Sequence, residues 1–176
     1  MTDGSSELPV ETVAVLAVTS RGYSRASGDP VRMAALVSRI HALLAVHAEA
    51  HGGQAVPSGT DAGLARFPTV SGALAAALGL SREVEAARDP GSHAHHGLLA
   101  MGLDCGPVVV GPFGQVAGVP VARAVRLAFA GEDRGELLLS AAAREGLELP
   151  SGLGLHAGRR ERVEQLGYGF HHVVDY

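Results

Sequence analysis

The order in which short apolar runs alternate with longer helical patterns constrains the fold of this chain more than any single residue does. Residues 11–18 (ETVAVLAV) predict a buried strand, because β-branched and apolar residues follow one another there. Asp29 and Pro30 predict the start of a helix whose apolar residues recur every three or four positions. Gly52 ends it. The segments GQAVPSG and DAGLARF then predict two short strands around a tight turn.

The rest of the chain continues this alternation. A second helix is predicted from about Val70 to Ala87 and a third from about Val119 to Ala130. The other predicted elements are a strand in GLLAMGLDCG, another in PVVVGPFG, a strand in GELLLS, a short helix in AAAREGL and an edge strand in GFHHVVDY. Strand pairs joined by tight turns therefore mix with helical crossovers. This order predicts an α+β fold with a mixed sheet covered by helices, and the missing glycine-rich fingerprint disfavours a Rossmann fold.

Length and charge limit the domain count and the partners. The 176 residues fit one domain at 11–176, preceded by a polar tail at 1–10 that we expect to be disordered. A net charge of −4 without a basic run argues against nucleic acid as a partner. The single cysteine, Cys105, excludes an internal disulfide and fits a reducing compartment. Because no signal peptide or long apolar run is apparent, we predict a cytoplasmic protein without a membrane segment.

Four local segments, taken in order, resemble a known family. They are HGGQAVPSGTDAGLARF, MGLDCGPVVVG, GVPVARAVRL and GELLLS. Together they resemble the catalytic domain of class III nucleotidyl cyclases, the adenylate and guanylate cyclases, from about Val13 to Tyr176. The resemblance implies a ferredoxin-like βαββαβ core and active sites at a head-to-tail dimer interface. There, two aspartates of one subunit hold two metal ions, and the opposite subunit supplies an asparagine and an arginine.

Of the two metal-binding aspartates that this resemblance implies, this sequence has one. The first metal aspartate falls on Thr19, and a hydroxyl cannot replace a carboxylate as a primary ligand to two hard cations. The second falls on Asp61, six residues before Phe67, and Thr60 stands where the family has a glycine. Asp61 is therefore either a remnant metal ligand or an acid that caps its own turn. Thr60 remains a candidate ligand-binding residue.

The nucleotide positions implied by the resemblance are mostly lost. The purine-selecting lysine falls near Pro57, which has no donor, and the second purine position falls near Gln115. The asparagine falls on Ala122, whereas the arginine is kept as Arg126. Gln115 and Arg126 are candidate ligand-binding residues. For Arg126, both an anion-binding role and an ordinary surface salt bridge remain open.

Two other features have plain structural explanations. The imidazoles of His93, His95 and His96 could together hold a transition metal, but no adjacent cysteine or carboxylate completes a ligand set. A solvated loop is the favoured interpretation. Cys105 lies within a predicted strand, where a buried and inert thiol is the ordinary state.

The kept fold segments and the lost catalytic residues together suggest a pseudoenzyme. The leading hypothesis is a catalytically inactive cyclase homology domain that acts as a homodimeric signalling or ligand-sensing module of bacterial type, with no cofactor. The first alternative is a cyclase subunit that makes cyclic nucleotide from ATP or GTP, with Mg²⁺ or Mn²⁺, only beside a complementary cyclase-like partner. The second is a protein-interaction scaffold without a ligand.

Overall fold

A computed structural model describes residues 8–20, 29–58, 61–87, 99–131, 136–148, 154–157 and 170–174. Its elements in chain order are β1 (Val10–Ser20), α1 (Pro30–Ala50), β2 (Gln54–Val56), β3 (Gly63–Phe67), α2 (Val70–Ala86), β4 (Leu99–Val110), β5 (Val116–Ala117), α3 (Val119–Ala130), β6 (Leu137–Ser140), α4 (Ala141–Glu145), β7 (Gly154–Ala157) and β8 (Phe170–Val174). Residues 1–7 of the predicted tail lie outside the described residues, and Val10 already belongs to β1.

All eight strands form one mixed sheet. Its order is β2-β3-β1-β4-β6-β8-β7, and β5 pairs with β4 beside this path. β1 runs antiparallel to both of its neighbours, β3 and β4, whereas β4 and β6 are parallel. A parallel pair needs a crossover connection, which here contains α3. The predicted α+β fold with a mixed sheet is confirmed.

Helices cover both faces of this sheet. Successive residues of a strand point to opposite faces, so Leu16 and Val18 of β1 join one core cluster, whereas Val13 and Val15 join another. The first cluster contains residues of α1, α2 and α4, and the second contains residues of α3. Among the described helices, α3 is the one that contributes to the second cluster, and it packs against β4 and β1.

The helices begin where the sequence predicts. At α1 the backbone N–H of Val31 donates to Asp29 Oδ1 over 3.0 Å. At α2 the N–H of Gly72 donates to Thr69 Oγ1 over 3.1 Å. Such side-chain acceptors satisfy backbone donors that have no partner in the first helical turn. The predicted spans of the three longer helices and of the GELLLS strand are confirmed.

Two strand predictions are wrong. GLLAMGLDCG and PVVVGPFG do not form two strands, because the single strand β4 runs from Leu99 to Val110 and pairs with β1 from Leu99 to Val109. Gly106, with φ 151°, adopts a conformation that favours glycine, so the strand continues where a break was expected. The terminal segment is not an edge strand either. β8 lies between β6 and β7, and β7, which the sequence analysis missed, forms that edge.

One segment within the described residues, Met33–Ala50 of α1, has the length and apolar composition of a membrane span. In this fold its residues Ile40, Leu44 and Ala48 are buried in the core. That arrangement is compatible with a helix of a soluble domain. The expectation of a cytoplasmic protein without a membrane segment stays a prediction.

α3 packs unusually close to the sheet at Gly102 of β4. A Cβ atom at this position would collide with the carbonyl oxygen of Ala124 and would lie 2.6 Å from the backbone nitrogen of Ala128. Both of these atoms belong to the backbone of α3 and cannot turn away as a flexible side chain would. The absence of a side chain at residue 102 is therefore a condition for the position of α3.

We expect Gly102→Ala to lower the free energy of unfolding by about 1–3 kcal/mol, the usual range for an overpacked core. Gly146→Ala is the matched control, because a Cβ there meets its nearest atom, Val70 Cγ2, at an ordinary 3.4 Å. Urea unfolding followed by far-UV circular dichroism measures both variants. Equal stability of the two would contradict the close contact of α3 with β4.

Candidate functional site

The two predicted metal positions lie at the same end of the sheet. The paired residues of β1 and β3 run from Ala14 opposite Phe67 to Val18 opposite Gly63. Thr19 is the next residue of β1, and Asp61 precedes β3 by two residues. The fold therefore places these positions next to each other, although Thr19 is buried and Asp61 is exposed.

This end of the sheet does not fit a two-metal site. Hard divalent cations take six or more oxygen ligands, with carboxylates as the main protein donors. Asp61 is the one acid at the two predicted positions. Within the described ranges, no group of three or more His, Cys, Asp or Glu side chains could hold a metal ion. Thr60, the neighbouring candidate, lies outside the described residues.

The predicted purine positions lie on two separate connections. Pro57 is exposed directly after β2. Gln115 lies in the turn between β4 and β5, where its amide oxygen Oε1 accepts from the backbone N–H of Phe113 over 3.0 Å. The backbone carbonyl of Gln115 accepts from Gly111 over 2.8 Å. Gln115 thus stabilises its own hairpin, and its role in ligand binding stays a prediction.

The two positions predicted to match the family's asparagine and arginine lie on the outer side of α3. Ala122 and Arg126 are exposed and one helical turn apart. Val119 and Phe129 continue the same stripe with 60% and 45% of their surface exposed. This outer stripe, defined by residues 119, 122, 126 and 129, presents one guanidinium among apolar side chains. Exposed apolar surface of this kind is typical of contact with another molecule.

A buried acid on the inner side of α3 was missed by the sequence analysis. Asp104 of β4 is 0% exposed, and its Oδ1 accepts from the hydroxyl of Ser140. Arg123 Nη1 lies 3.3 Å from Asp104 Oδ2. Ser140 Oγ in turn accepts from the N–H of Ala143 over 3.0 Å and so caps α4. An aspartate inside the apolar strand LAMGLDCG was the sequence signal for this cluster.

The cluster of Asp104, Ser140 and Arg123 connects β4, β6 and α3. It also gives the two arginines of α3 different surroundings. Arg123 points inward to Asp104, and its side chain is 24% exposed. Arg126, three residues later, is exposed to solvent. A buried carboxylate is stable when charge and hydrogen bonds compensate for its lost hydration. Asp104 therefore fixes one face of α3 against the sheet and leaves the other face free for contacts.

Cys105 lies on the opposite side of β4 and is half-buried. Burial raises the pKa of its thiol above the ordinary 9.0, and the charges of Asp104 and Glu145 raise it further, against a lowering effect of Arg123. The thiol is thus protonated at neutral pH, in agreement with an inert cysteine. His93, His95 and His96 lie outside the described residues.

Comparison with known proteins gives a fold and no sequence relative. No protein-family model matches the chain, and no curated protein matches it in sequence. A structure described as an adenylate/guanylate cyclase/hydrolase from Silicibacter pomeroyi is 21% identical, with a TM-score of 0.76 over 96% of this chain and 99% of that chain. This chain has the fold of a class III nucleotidyl cyclase domain. The resemblance seen in the sequence is confirmed at the level of the fold.

Other cyclase structures have a similar fold. A bacterial light-regulated adenylyl cyclase is 18% identical with a TM-score of 0.76, over 96% of this chain and 53% of that chain. The present chain thus spans about half the length of that protein. The guanylyl cyclase domain of the RhoGC fusion protein from the fungus Blastocladiella emersonii, described as a non-canonical dimer, is 15% identical. Its TM-score is 0.68, over 95% of this chain and 97% of that chain.

We expect Asp104→Ala to lower the free energy of unfolding by about 2–4 kcal/mol, because it removes the carboxylate beside a half-buried guanidinium. The double variant with Arg123→Ala should lose less than the sum of the two single losses. Arg39→Ala, at an exposed position of α1, is the control and should change stability by less than about 0.5 kcal/mol. Urea unfolding measures all four variants, and additive losses would contradict the coupling of Asp104 with Arg123.

The reactivity of Cys105 should show its raised pKa. Alkylation by iodoacetamide requires the thiolate, so the midpoint of its pH–rate profile in the folded protein should lie above the ordinary thiol pKa of 9.0. The urea-unfolded chain is the control, and it should react at lower pH. The unfolded thiol loses its proton first, so this group's contribution to stability is fully present below the unfolded pKa. The contribution is lost as pH rises from that value through the higher folded pKa. A folded-state rate profile centred below pH 9.0 would contradict the prediction.

Proposed function

We propose that this chain is a cyclase homology domain that dimerises in cytoplasmic signalling of bacterial type and makes no cyclic nucleotide by itself. One observation carries the proposal: Thr19 is buried at the position of the first metal carboxylate, next to the lone acid Asp61. The cyclase fold supports the family comparison on which this assignment of positions depends.

The chemistry of cyclisation explains why this loss matters. A pair of divalent cations activates the attacking hydroxyl and neutralises the charge that develops on the leaving phosphates. With one carboxylate, such a site lacks both charge and geometry, and a loss of several kcal/mol of transition-state stabilisation follows. Ala122 also has no amide group with which to orient a ribose. The chain's own residues thus supply one anion, Asp61, and one cation, Arg126.

Two observations support a dimer. The outer stripe of α3 leaves Val119 and Phe129 exposed, and Phe113, at the tip of the neighbouring hairpin, is 84% exposed. Large apolar side chains exposed to water gain free energy when another chain buries them. One structure with a similar fold, the guanylyl cyclase domain from Blastocladiella emersonii, is a non-canonical dimer. We therefore propose a homodimer in which α3 lies at the interface.

Arg126 favours a second candidate function. An exposed guanidinium at the position of the catalytic arginine would allow this chain to serve as the arginine-donating half of a heterodimer. Its metal-binding half would then come from another cyclase-like chain with both carboxylates. Co-expression with such a chain, followed by a cyclic nucleotide assay with Arg126→Ala as control, distinguishes this candidate from the pseudoenzyme. A ligand sensor would instead show a rise in melting temperature with ATP, GTP or a cyclic nucleotide.

We expect the purified protein to form no cyclic AMP or cyclic GMP from ATP or GTP with Mn²⁺. Thr19→Asp alone should also remain inactive, because Ala122 and Pro57 still lack the required side chains. Liquid chromatography with mass spectrometry measures the products, and an active cyclase domain assayed in parallel is the positive control. Cyclic nucleotide formation by the wild type that disappears in Asp61→Asn would overturn the proposed function.

A further inference from the structure

We propose that Asp61 of one copy of this chain forms an ion pair with Arg126 of a second copy, so that the two charged remnants bind each other instead of a metal nucleotide. This inference rests on the proposed homodimer with α3 at its interface, arranged as the resemblance to the cyclase family implies. It adds which group contacts each charged residue: Arg126 of the second copy contacts Asp61, and Asp61 of the second copy contacts Arg126. In such a dimer the pair occurs twice, because a two-fold axis makes each contact reciprocal.

The first observation is the state of Asp61. Its carboxylate is exposed at the end of the β1–β3 ladder, where Thr19 supplies no second acid. Within the described part of the chain, no ion pair or metal-binding group includes it. An exposed acid at this point keeps its hydration in the monomer and is available to a cation of another molecule.

The second observation is the separation of the two arginines on α3. Asp104 holds Arg123 on the inner side of the helix, at 3.3 Å. Arg126 is therefore the arginine that the outer stripe presents. No ion pair of Arg126 is found among the described residues. The fold thus leaves one exposed anion and one exposed cation. The resemblance to the cyclase family implies that the proposed dimer brings these two positions together.

The surroundings of Arg126 favour a carboxylate partner from another chain. Val119 and Phe129 flank it on the stripe, and Ala122 offers no competing hydrogen-bond acceptor. When such apolar side chains become buried in an interface, the local dielectric falls and a charge pair between them becomes stronger than on an open surface. A guanidinium can also bind a carboxylate with two parallel hydrogen bonds. A second copy of this chain supplies that carboxylate through its own Asp61.

Charge reversal tests the pair by sedimentation equilibrium. We expect Asp61→Arg and Arg126→Asp each to weaken self-association by roughly tenfold or more, because each replaces two attractive pairs with two like-charge contacts. The double variant Asp61→Arg/Arg126→Asp should restore association to within about threefold of the wild type, since both pairs are re-formed with opposite orientation. Raising the salt concentration should weaken wild-type association.

Arg39→Asp and Glu85→Arg are matched control variants, because these exposed charges lie on α1 and α2, on the sheet face opposite α3. They should associate like the wild type. Melting temperatures confirm that all variants fold.

A wild type that is monomeric at every concentration overturns the proposed dimer. A dimeric wild type whose single reversals behave like the controls, or whose double variant stays weak, overturns the ion pair and leaves the proposed function standing. Tighter association of the single variants with added ATP or GTP would assign the site to a nucleotide instead.

Discussion

β1 and β4 pair over eleven residues, from Val10 opposite Val109 to Ser20 opposite Leu99, and helices cover both faces of this ladder. The other described strands extend the sheet on either side of this β1–β4 ladder. β3 extends it on one side and β6 on the other, while α3 lies directly on the backbone of β4 at Gly102. Because β1 is buried on both faces from Val13 to Ser20 and β4 from Leu99 to Asp104, the core depends on small and branched apolar side chains that fit between closely spaced layers.

Much of this arrangement is visible in the sequence, since its signals are local. The helix start at Asp29 and the spacing of apolar residues in α1 and α2 depend on neighbours within two turns, and their predictions are confirmed. The continuity of β4 through Gly106 and the internal position of β8 depend on pairing with distant strands. No local pattern contains that information, and both were predicted incorrectly.

For the candidate site too, the positions of residues could be predicted from the sequence, whereas contacts between distant residues could not. The sequence, read beside the cyclase family, places Thr19 and Asp61 at one end of the sheet, and the β1–β3 register agrees. It gives no sign that Arg123 is turned inward and Arg126 outward, because that difference depends on Asp104, nineteen residues earlier on another element. The side chain of Gln115 is likewise committed to its own hairpin by a contact that residue identity alone does not reveal.

The absence of a side chain at Gly102 has a consequence for how such a domain evolves. Contact between two backbones holds α3 in place without any help from the residues on its outer side. The outer residues of α3 can therefore change without loss of the scaffold. The surface residues of such a domain can in this way lose a catalytic role, or acquire a role in recognition, while the fold is unchanged. The persistence of the fold at low sequence identity is the expected result of that independence.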